Sequence, residues 1–427
     1  MTTSANQVEE MRGLHAGAIV LAGVIAVNVG NYLFHLLAAR ELGPASYSDV
    51  VSLLALAGLI GLPLGGVQVV VARRVARLSA AGDRAGLRAF FRLGLVATTV
   101  VSTAVALVVV ILSPVIQSAL GIGSLAAIVV TAALTIPALL TPIALGVAQG
   151  LQRFTLLSVS LTASTAVRLA TLVVVLALGF GVTAVLAASL IGSLVALAVP
   201  LARLDESFRG PRAIRPRISR HALATSLLPV VLGLLAITAL TTADVIVAKA
   251  VFDDHEAGIY GSASLVGRVI LYLPAAIVTV LLPKVSARAT RGEASGDILA
   301  ASVGVTVAAS ASLTVAYAAV PNTVVQLAFG SEFDDAAGLL YLFGIAMSGY
   351  ALLNVLLIYH LARNATAMSW LLLVGAALQL GGYTVLHDSP RQLLAVSITT
   401  MVALLVAHEA FVERSLSSAA AKLVRSR

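Results

Sequence analysis

Twelve apolar runs alternate with short polar gaps along the chain, at roughly 14–39, 48–71, 93–113, 124–148, 155–180, 182–202, 222–249, 258–282, 298–320, 336–360, 366–386 and 392–412. Each is about 20 residues or longer, which is what an α-helix needs to cross a hydrocarbon layer about 30 Å thick. The pattern predicts an all-α integral membrane protein of about twelve transmembrane helices. Composition agrees, because 59% hydrophobic and 11% charged residues leave too little polar surface to cover a soluble fold of this length. The first run is too long for a signal h-region and is preceded only by Arg12, so it is read as helix 1.

The gaps differ in charge, and the difference predicts an orientation. Of the 27 Lys and Arg residues, 22 lie in the N-terminal segment, the even-numbered gaps or the C-terminal tail, with nine carboxylates. The odd-numbered gaps hold only Arg40, Lys249 and Arg391, again with nine carboxylates. By the positive-inside rule the arginine-rich gaps and both termini are cytoplasmic. The cytoplasmic segments then carry +13 and the external ones −6 within a formal net charge of +8. A basic face of this kind meets anionic lipid headgroups, so membrane lipids and not nucleic acid are the implied partner. The absence of cysteine excludes disulfides, thiolate catalysis and cysteine metal sites.

The chain also repeats itself at about half its length. Tyr47 corresponds to Tyr260 at an offset of 213, Pro63 to Pro274 and Arg73 to Lys284 at 211, and Arg153 to Arg363 at 210. Pro114 and Gly121 precede helix 4 as Pro321 and Gly330 precede helix 10. Six helices per copy is an even number, so the copies are parallel, an arrangement suited to alternating access around a central site. The predicted organisation is an N-terminal six-helix lobe over 1–202, a basic cytoplasmic linker over 203–220 with Pro211 and Pro216, and a C-terminal six-helix lobe with a short basic tail over 221–427.

The phrase ARELGPASYSDVVSLLALAGLIGLPLGG after helix 1 resembles the start of oligosaccharide flippases of the Wzx type. PNTVVQLAFGSEFDDAAGLLYLFGIAMSGYALLNVLLIYHLAR is similar to their ninth-to-tenth helix region. Those flippases belong to the multidrug/oligosaccharidyl-lipid/polysaccharide (MOP) exporter superfamily, which also holds MATE drug antiporters and lipid II flippases. The resemblance implies a plasma (inner) membrane transporter without enzymatic activity. It would flip a polyprenyl-diphosphate-linked oligosaccharide from the cytoplasmic to the outer leaflet for surface polysaccharide biosynthesis. It implies no bound cofactor, coupling to H+ or Na+, and glycan polymerases or glycosyltransferases as partners. A cation-coupled MATE-type drug exporter is the alternative. A polytopic glycosyltransferase or polymerase fits less well, because the longest external gap, roughly 321–335, leaves little room for a sugar-nucleotide site.

Polar residues inside hydrocarbon are costly, so those present are candidate site residues. Asn28, Asn31 and His35 form one stripe on helix 1. Thr241 and Asp244 occupy the positions of Asn28 and Asn31 in the second copy. These stripes are expected to line a central cavity, and interhelical hydrogen bonding within each lobe is the other reading. Arg168 lies roughly 20 Å into helix 5 and Arg268 roughly 15 Å into helix 8 by the helical rise. In a flippase, cavity arginines can bind a diphosphate bidentately. Asp244 is a candidate coupling residue, or a structural partner of Arg268 or Lys249. Tyr350, Asn354, Tyr359, Gln379 and Tyr383 suit either sugar contacts or packing. The acidic loop Asp253, Asp254, His255, Glu256 reads as a solvated turn ahead of a divalent-ion site, and His408-Glu409 lacks the second histidine of a zinc motif.

The absence of native cysteine makes the orientation testable. A single cysteine at Ser331 is expected to react with an impermeant maleimide on intact cells, and one at Ser219 only after permeabilisation. The opposite pattern would invert the topology.

Overall fold

The computed structural model describes the backbone of residues 2–61, 63, 65–208, 220–272, 285, 288, 293, 295–363 and 365–413. Among these residues every regular element is helical. In chain order they are α1 (Thr2–Gly61), α2 (Gly65–Ala80), α3 (Arg84–Ile111), α4 (Ser113–Leu120), α5 (Leu125–Gly150), α6 (Phe154–Ala177) and α7 (Val182–Phe208), then α8 (Arg220–Val251), α9 (Asp254–Gly267) and α10 (Val269–Tyr272). After them come α11 (Gly296–Ala319), α12 (Pro321–Phe329), a 3-10 turn (Ser331–Ala336), α13 (Ala337–Ala362), α14 (Ala367–Val385), α15 (Pro390–Ala407) and a π turn (His408–Val412). Most of the expected linker, residues 209–219, lies outside the described residues.

Ten stretches are long and apolar enough to span a membrane. They account for the twelve expected runs, because Ile25–Ala80 joins the first two and part of 258–282 lies outside the described residues. The joining has a local cause. Gly43 adopts φ 68° and ψ 170° within α1, and Pro44 follows it. A positive φ is cheap only for glycine, and a proline suits the first turn of the next helix, where its missing N–H costs nothing. Two helices therefore meet at one residue where a longer external gap is expected from sequence. Apolar side chains cover the outside of these helices. Val96, Val100 and Ile111 on α3 and Leu378 on α14 are all more than 60% exposed, as contact with lipid requires. The protein is a multi-pass membrane protein.

The chain divides into two compact units, one of Met1–Leu42 with Leu64–Leu223, the other of Gly43–Pro63 with Ala224–Arg427. The expected N-terminal lobe over 1–202 thus differs in one segment, since 43–63 packs with the C-terminal half. In unit 1, α2 lies against α5 where glycines permit it. A Cβ built on Gly146 would fall 2.8 Å from the Gln68 carbonyl oxygen, and one on Gly150 2.5 Å from that of Ala72. Small residues of this kind let membrane helices approach closely. Val71 and Val75 then pack with Leu87, Phe90, Phe91, Ile143, Val147 and Leu204. Arg73 and Arg77 point outward on the opposite face of α2.

Unit 2 is built around α13, whose Phe343 ring meets Tyr260 at 5.1 Å between centroids. Segment 44–61 is fixed in this unit by three contacts. Gly258 lies so close to the segment that a Cβ there would sit 1.9 Å from the Pro44 carbonyl oxygen, and one on Gly261 2.6 Å from Val51 Cγ1. Tyr47, fully buried, packs against Phe329 and Phe333. Lys249 donates to Ser48 Oγ at 2.8 Å and pairs with Asp49 at 2.7 Å and with Asp254.

Gly258→Ala is expected to destabilise the protein by about 1–3 kcal/mol through overpacking against rigid backbone. Gly381→Ala, on an open face of α14 with no atom nearby, is expected to be neutral or slightly stabilising. Thermal unfolding of the detergent-purified variants checks both.

Candidate functional site

In unit 1 two of the sequence-predicted residues, Arg168 and Asn31, meet. Two glycines bring the supporting helices close. A Cβ on Gly30 of α1 would meet Thr165 Cγ2 of α6 at 2.1 Å, and one on Gly192 of α7 would meet Arg168 Cβ at 2.7 Å. Across that second contact Ser164 Oγ donates to the Gly192 carbonyl at 2.7 Å. Arg168 Nη1 donates to Asn31 Oδ1 at 2.9 Å and Nε to Ser189 Oγ at 3.1 Å. Its guanidinium carbon lies 3.5 Å from the centroid of the buried Phe34 ring. A guanidinium stacks well on an aromatic face, and a planar stack with two directed donors fixes its plane. Each of these three partners is neutral, and together they aim the guanidinium. Asn28 and His35 share the helix-1 stripe with Asn31, and all three are half-buried, as is Arg168.

Unit 2 places a different constellation at the duplicated position. Asp244 on α8 is 2% exposed, its Oδ1 lies 3.3 Å from Arg268 Nη2, and its Oδ2 accepts from Tyr260 OH at 3.0 Å. The helix breaks at Arg268, which caps α9 before α10 begins. Of the two expected partners for Asp244, Arg268 is therefore the one it meets, and Lys249 serves segment 44–61 instead. Thr241 is buried, and its hydroxyl donates to the Ile237 carbonyl of its own helix at 2.8 Å. Asn31 and Asp244, 213 residues apart, thus each receive an arginine, but from helices that do not correspond in the duplication. The acceptor is an amide in unit 1 and a carboxylate in unit 2.

The tyrosines and amide considered as sugar ligands are interior. Tyr350, Gln379 and Tyr383 are each at most 2% exposed. Tyr350 OH donates to Gln379 Oε1, while Gln379 Nε2 donates to the Leu240 carbonyl at 2.9 Å and to Tyr383 OH at 2.7 Å. Tyr383 OH and Ser397 Oγ lie 2.7 Å apart. This network ties α8, α13, α14 and α15 together, which is the packing reading. Tyr359 is also buried and accepts from Arg363 Nη1 at 3.2 Å, whereas Asn354 is half-buried. In the acidic loop Asp253 caps α9 by accepting from Glu256 N at 2.8 Å, and Asp254 pairs with Lys249. Partial burial, and then the Asp253 carboxylate, raise the Glu256 carboxyl from its ordinary value. Among the described residues no group of three metal-ligating side chains gathers.

Sequence reasoning misses Ser189, Phe34 and Tyr260 as parts of these clusters. Nothing in a sequence distinguishes one membrane serine or phenylalanine from another. Tyr260 carries a signal, as it matches Tyr47 in the duplication.

The family described as polysaccharide biosynthesis protein matches residues 14–288, well over half the chain. No curated protein matches. Among solved structures, the chain is similar to an inward-facing multidrug resistance MATE family transporter of the MOP superfamily, at 14% identity over 89% of this chain and 92% of that one, with a TM-score of 0.71. It is similar to the lipid II flippase MurJ in an inward closed conformation, at 12% identity over 91% and 85%, with a TM-score of 0.66. A MOP superfamily transporter from Pyrococcus furiosus matches at 16% identity over 95% of both chains, with a TM-score of 0.61. Identities this low speak to the fold alone, and the fold is that of the MOP superfamily. The match over 14–288 goes further: the chain belongs to the polysaccharide biosynthesis protein family.

Proposed function

We propose that this protein carries a polyprenyl-diphosphate-linked oligosaccharide from the cytoplasmic to the outer leaflet of a plasma (inner) membrane by alternating access, with both termini in the cytoplasm. The family supports a role in polysaccharide biosynthesis, and the fold is shared with a protein described as a lipid II flippase. The arginine distribution supports the orientation. The observation that carries the reading is the Arg168–Asn31 contact, which sets a cation on the half-buried polar stripe of helix 1. A diphosphate crossing a membrane needs such a group, because its charge loses water on the way. Arg168 would grip the phosphate oxygens through its fork of donors, while Asn28 and His35 meet sugar or phosphate hydroxyls beside it.

In unit 2, Arg268 would enter the reaction cycle only when Asp244 releases it. Protonation of Asp244 would do this, which makes the pair the place where H+ coupling acts on the cargo. The same buried carboxylate supports the second reading, a cation-coupled drug exporter, whose fold the chain also shares.

Transport of a fluorescent polyprenyl-diphosphate sugar into proteoliposomes decides between them. Arg168→Ala is expected to lower transport roughly 10- to 100-fold, the loss of one charge-assisted hydrogen bond to phosphate at about 1.5–3 kcal/mol. Arg168→Lys should keep part of it, with charge but no fork. Unimpaired lipid transport in Arg168→Ala would remove Arg168 from the cargo site, and absence of lipid transport by the parent protein, together with export of cationic dye, would favour the drug exporter.

The Asp244–Arg268 pair gives a second prediction. Either Asp244→Asn or Arg268→Gln alone should cost about 3–5 kcal/mol, because a buried charge is left without its counter-ion. The double variant is expected to regain stability. If it also regains transport, the pair is structural; if it stays stable but inactive, at least one of the two charges acts in transport.

A further inference from the structure

Two histidines far apart in sequence meet inside unit 2. His360, on the last turn of α13, is 3% exposed, and His408, at the start of the π turn that ends the last helix, is fully buried. Their Nε2 atoms lie 2.9 Å apart, with the rings edge to face at 5.2 Å between centroids. A contact this short between two ring nitrogens needs one proton on the line between them, donated by one imidazole to the lone pair of the other. His408 Nδ1 is buried with no hydrogen-bond partner. We therefore assign the shared proton to His408 Nε2, so that its Nδ1 holds a bare lone pair and not a buried N–H with nothing to accept it.

This arrangement has no room for a further proton. On His360 Nε2 it would face the His408 N–H head on at 2.9 Å. On His408 Nδ1 it would create a buried, charged donor without an acceptor, a costly group in a low dielectric. The surrounding charges are Arg363, which caps α13 and repels a second cation, and Glu409 on the π turn with Glu413 just after it, which attract one. Glu413 is engaged with Arg363 at 2.6 Å. The facing helix α14 carries no ionisable charge along its length, and Asp297 at the start of α11 pairs with Arg288. Tyr359, beside His360, contributes a ring edge at 5.5 Å.

We propose that His360 and His408 form a proton-sensitive clasp that holds the end of the last membrane helix against α13 while both are neutral, and opens when either gains a proton. The π turn supports this, since the clasp sits where the α-helical ladder has already given way to a wider turn. The clasp is a binding site for a proton apart from Asp244, and it acts on the packing of the chain, not on cargo.

The sign of the pH effect follows from linkage. The unfolded chain protonates both histidines below about pH 6.5, whereas the closed clasp excludes those protons. Clasp stability is therefore fully present at neutral pH and is lost as the medium acidifies, about tenfold in the closing equilibrium per pH unit for each excluded proton. The experiment uses the full-length protein in nanodiscs with spin labels on cysteines replacing Trp370 and Phe411, both more than half exposed and free of native thiols elsewhere. Between pH 8 and pH 5.5 a second, longer distance population is expected to appear. In a background of His360→Gln with His408→Gln, whose amides can keep one hydrogen bond without titrating, the distance should stay at its pH 8 value. An unchanged distance in the parent protein overturns the proposal. So does an acid shift that survives in the amide background, which would assign the effect to Glu409 and Glu413. If the double variant fails to reach the membrane, His408→Gln alone replaces it, and an undiminished shift there overturns the proposal equally.

Discussion

A charge that leaves water for the interior of a helical bundle must find a partner there, and this requirement organises both units. An unpaired ion in a low dielectric costs more than any single packing contact returns. Each ion at depth has accordingly drawn a specific set of neighbours around it. Asp244 holds Arg268 and Tyr260, Lys249 gathers Asp49, Asp254 and Ser48, and Arg168 rests on Phe34 between Asn31 and Ser189. The three solutions differ in kind. The first two cancel charge, whereas the named partners of the third only orient it.

Close approach of the helices makes these partnerships geometrically possible. Outside water, apolar side chains supply little net attraction between helices, since lipid tails are as apolar as leucine. Close van der Waals contact has to take over. Gly30, Gly192, Gly146 and Gly150 in unit 1, and Gly258, Gly261 and Gly267 in unit 2, sit where a methyl group would collide with the neighbouring helix. The Arg168 cluster depends directly on two of them. Without Gly30 and Gly192, α1 and α7 would stand too far from α6 for Asn31 and Ser189 to reach the guanidinium.

Much of this was legible in the sequence, for definite reasons. Helix number follows from the length of apolar runs, which the bilayer thickness dictates. The pairing of Asp244 with Arg268 was one of two options because few ions lie at that depth. The rest depends on neighbours that periodicity cannot name. A helical repeat gives the face on which Phe34 or Tyr350 lies, but not the helix it meets. Lys249 was visible as a cation near a carboxylate, yet it chose Asp49, 200 positions earlier. His408 looked like an incomplete metal motif because its partner lies 48 positions away on another helix. The tyrosine–glutamine network looked equally suited to sugar or to packing, and only burial assigns it to packing.

The membership of residues 43–63 in unit 2 has a consequence for how such a gene can be divided. A duplicated protein with a basic linker invites cutting at that linker into two independent halves. Here the cut would separate unit 2 from one of its own helices. The C-terminal fragment would lack Asp49 and Ser48 beside Lys249, and would present Gly258 and Gly261 as empty grooves where Pro44 and Val51 belong. The N-terminal fragment would carry a helix separated from its partners Gly258, Gly261 and Lys249. The halves would have to be made together and complete each other by fragment complementation. Although its sequence reads as two copies of one module, the polypeptide can no longer be returned to two separate genes without this cross-repair.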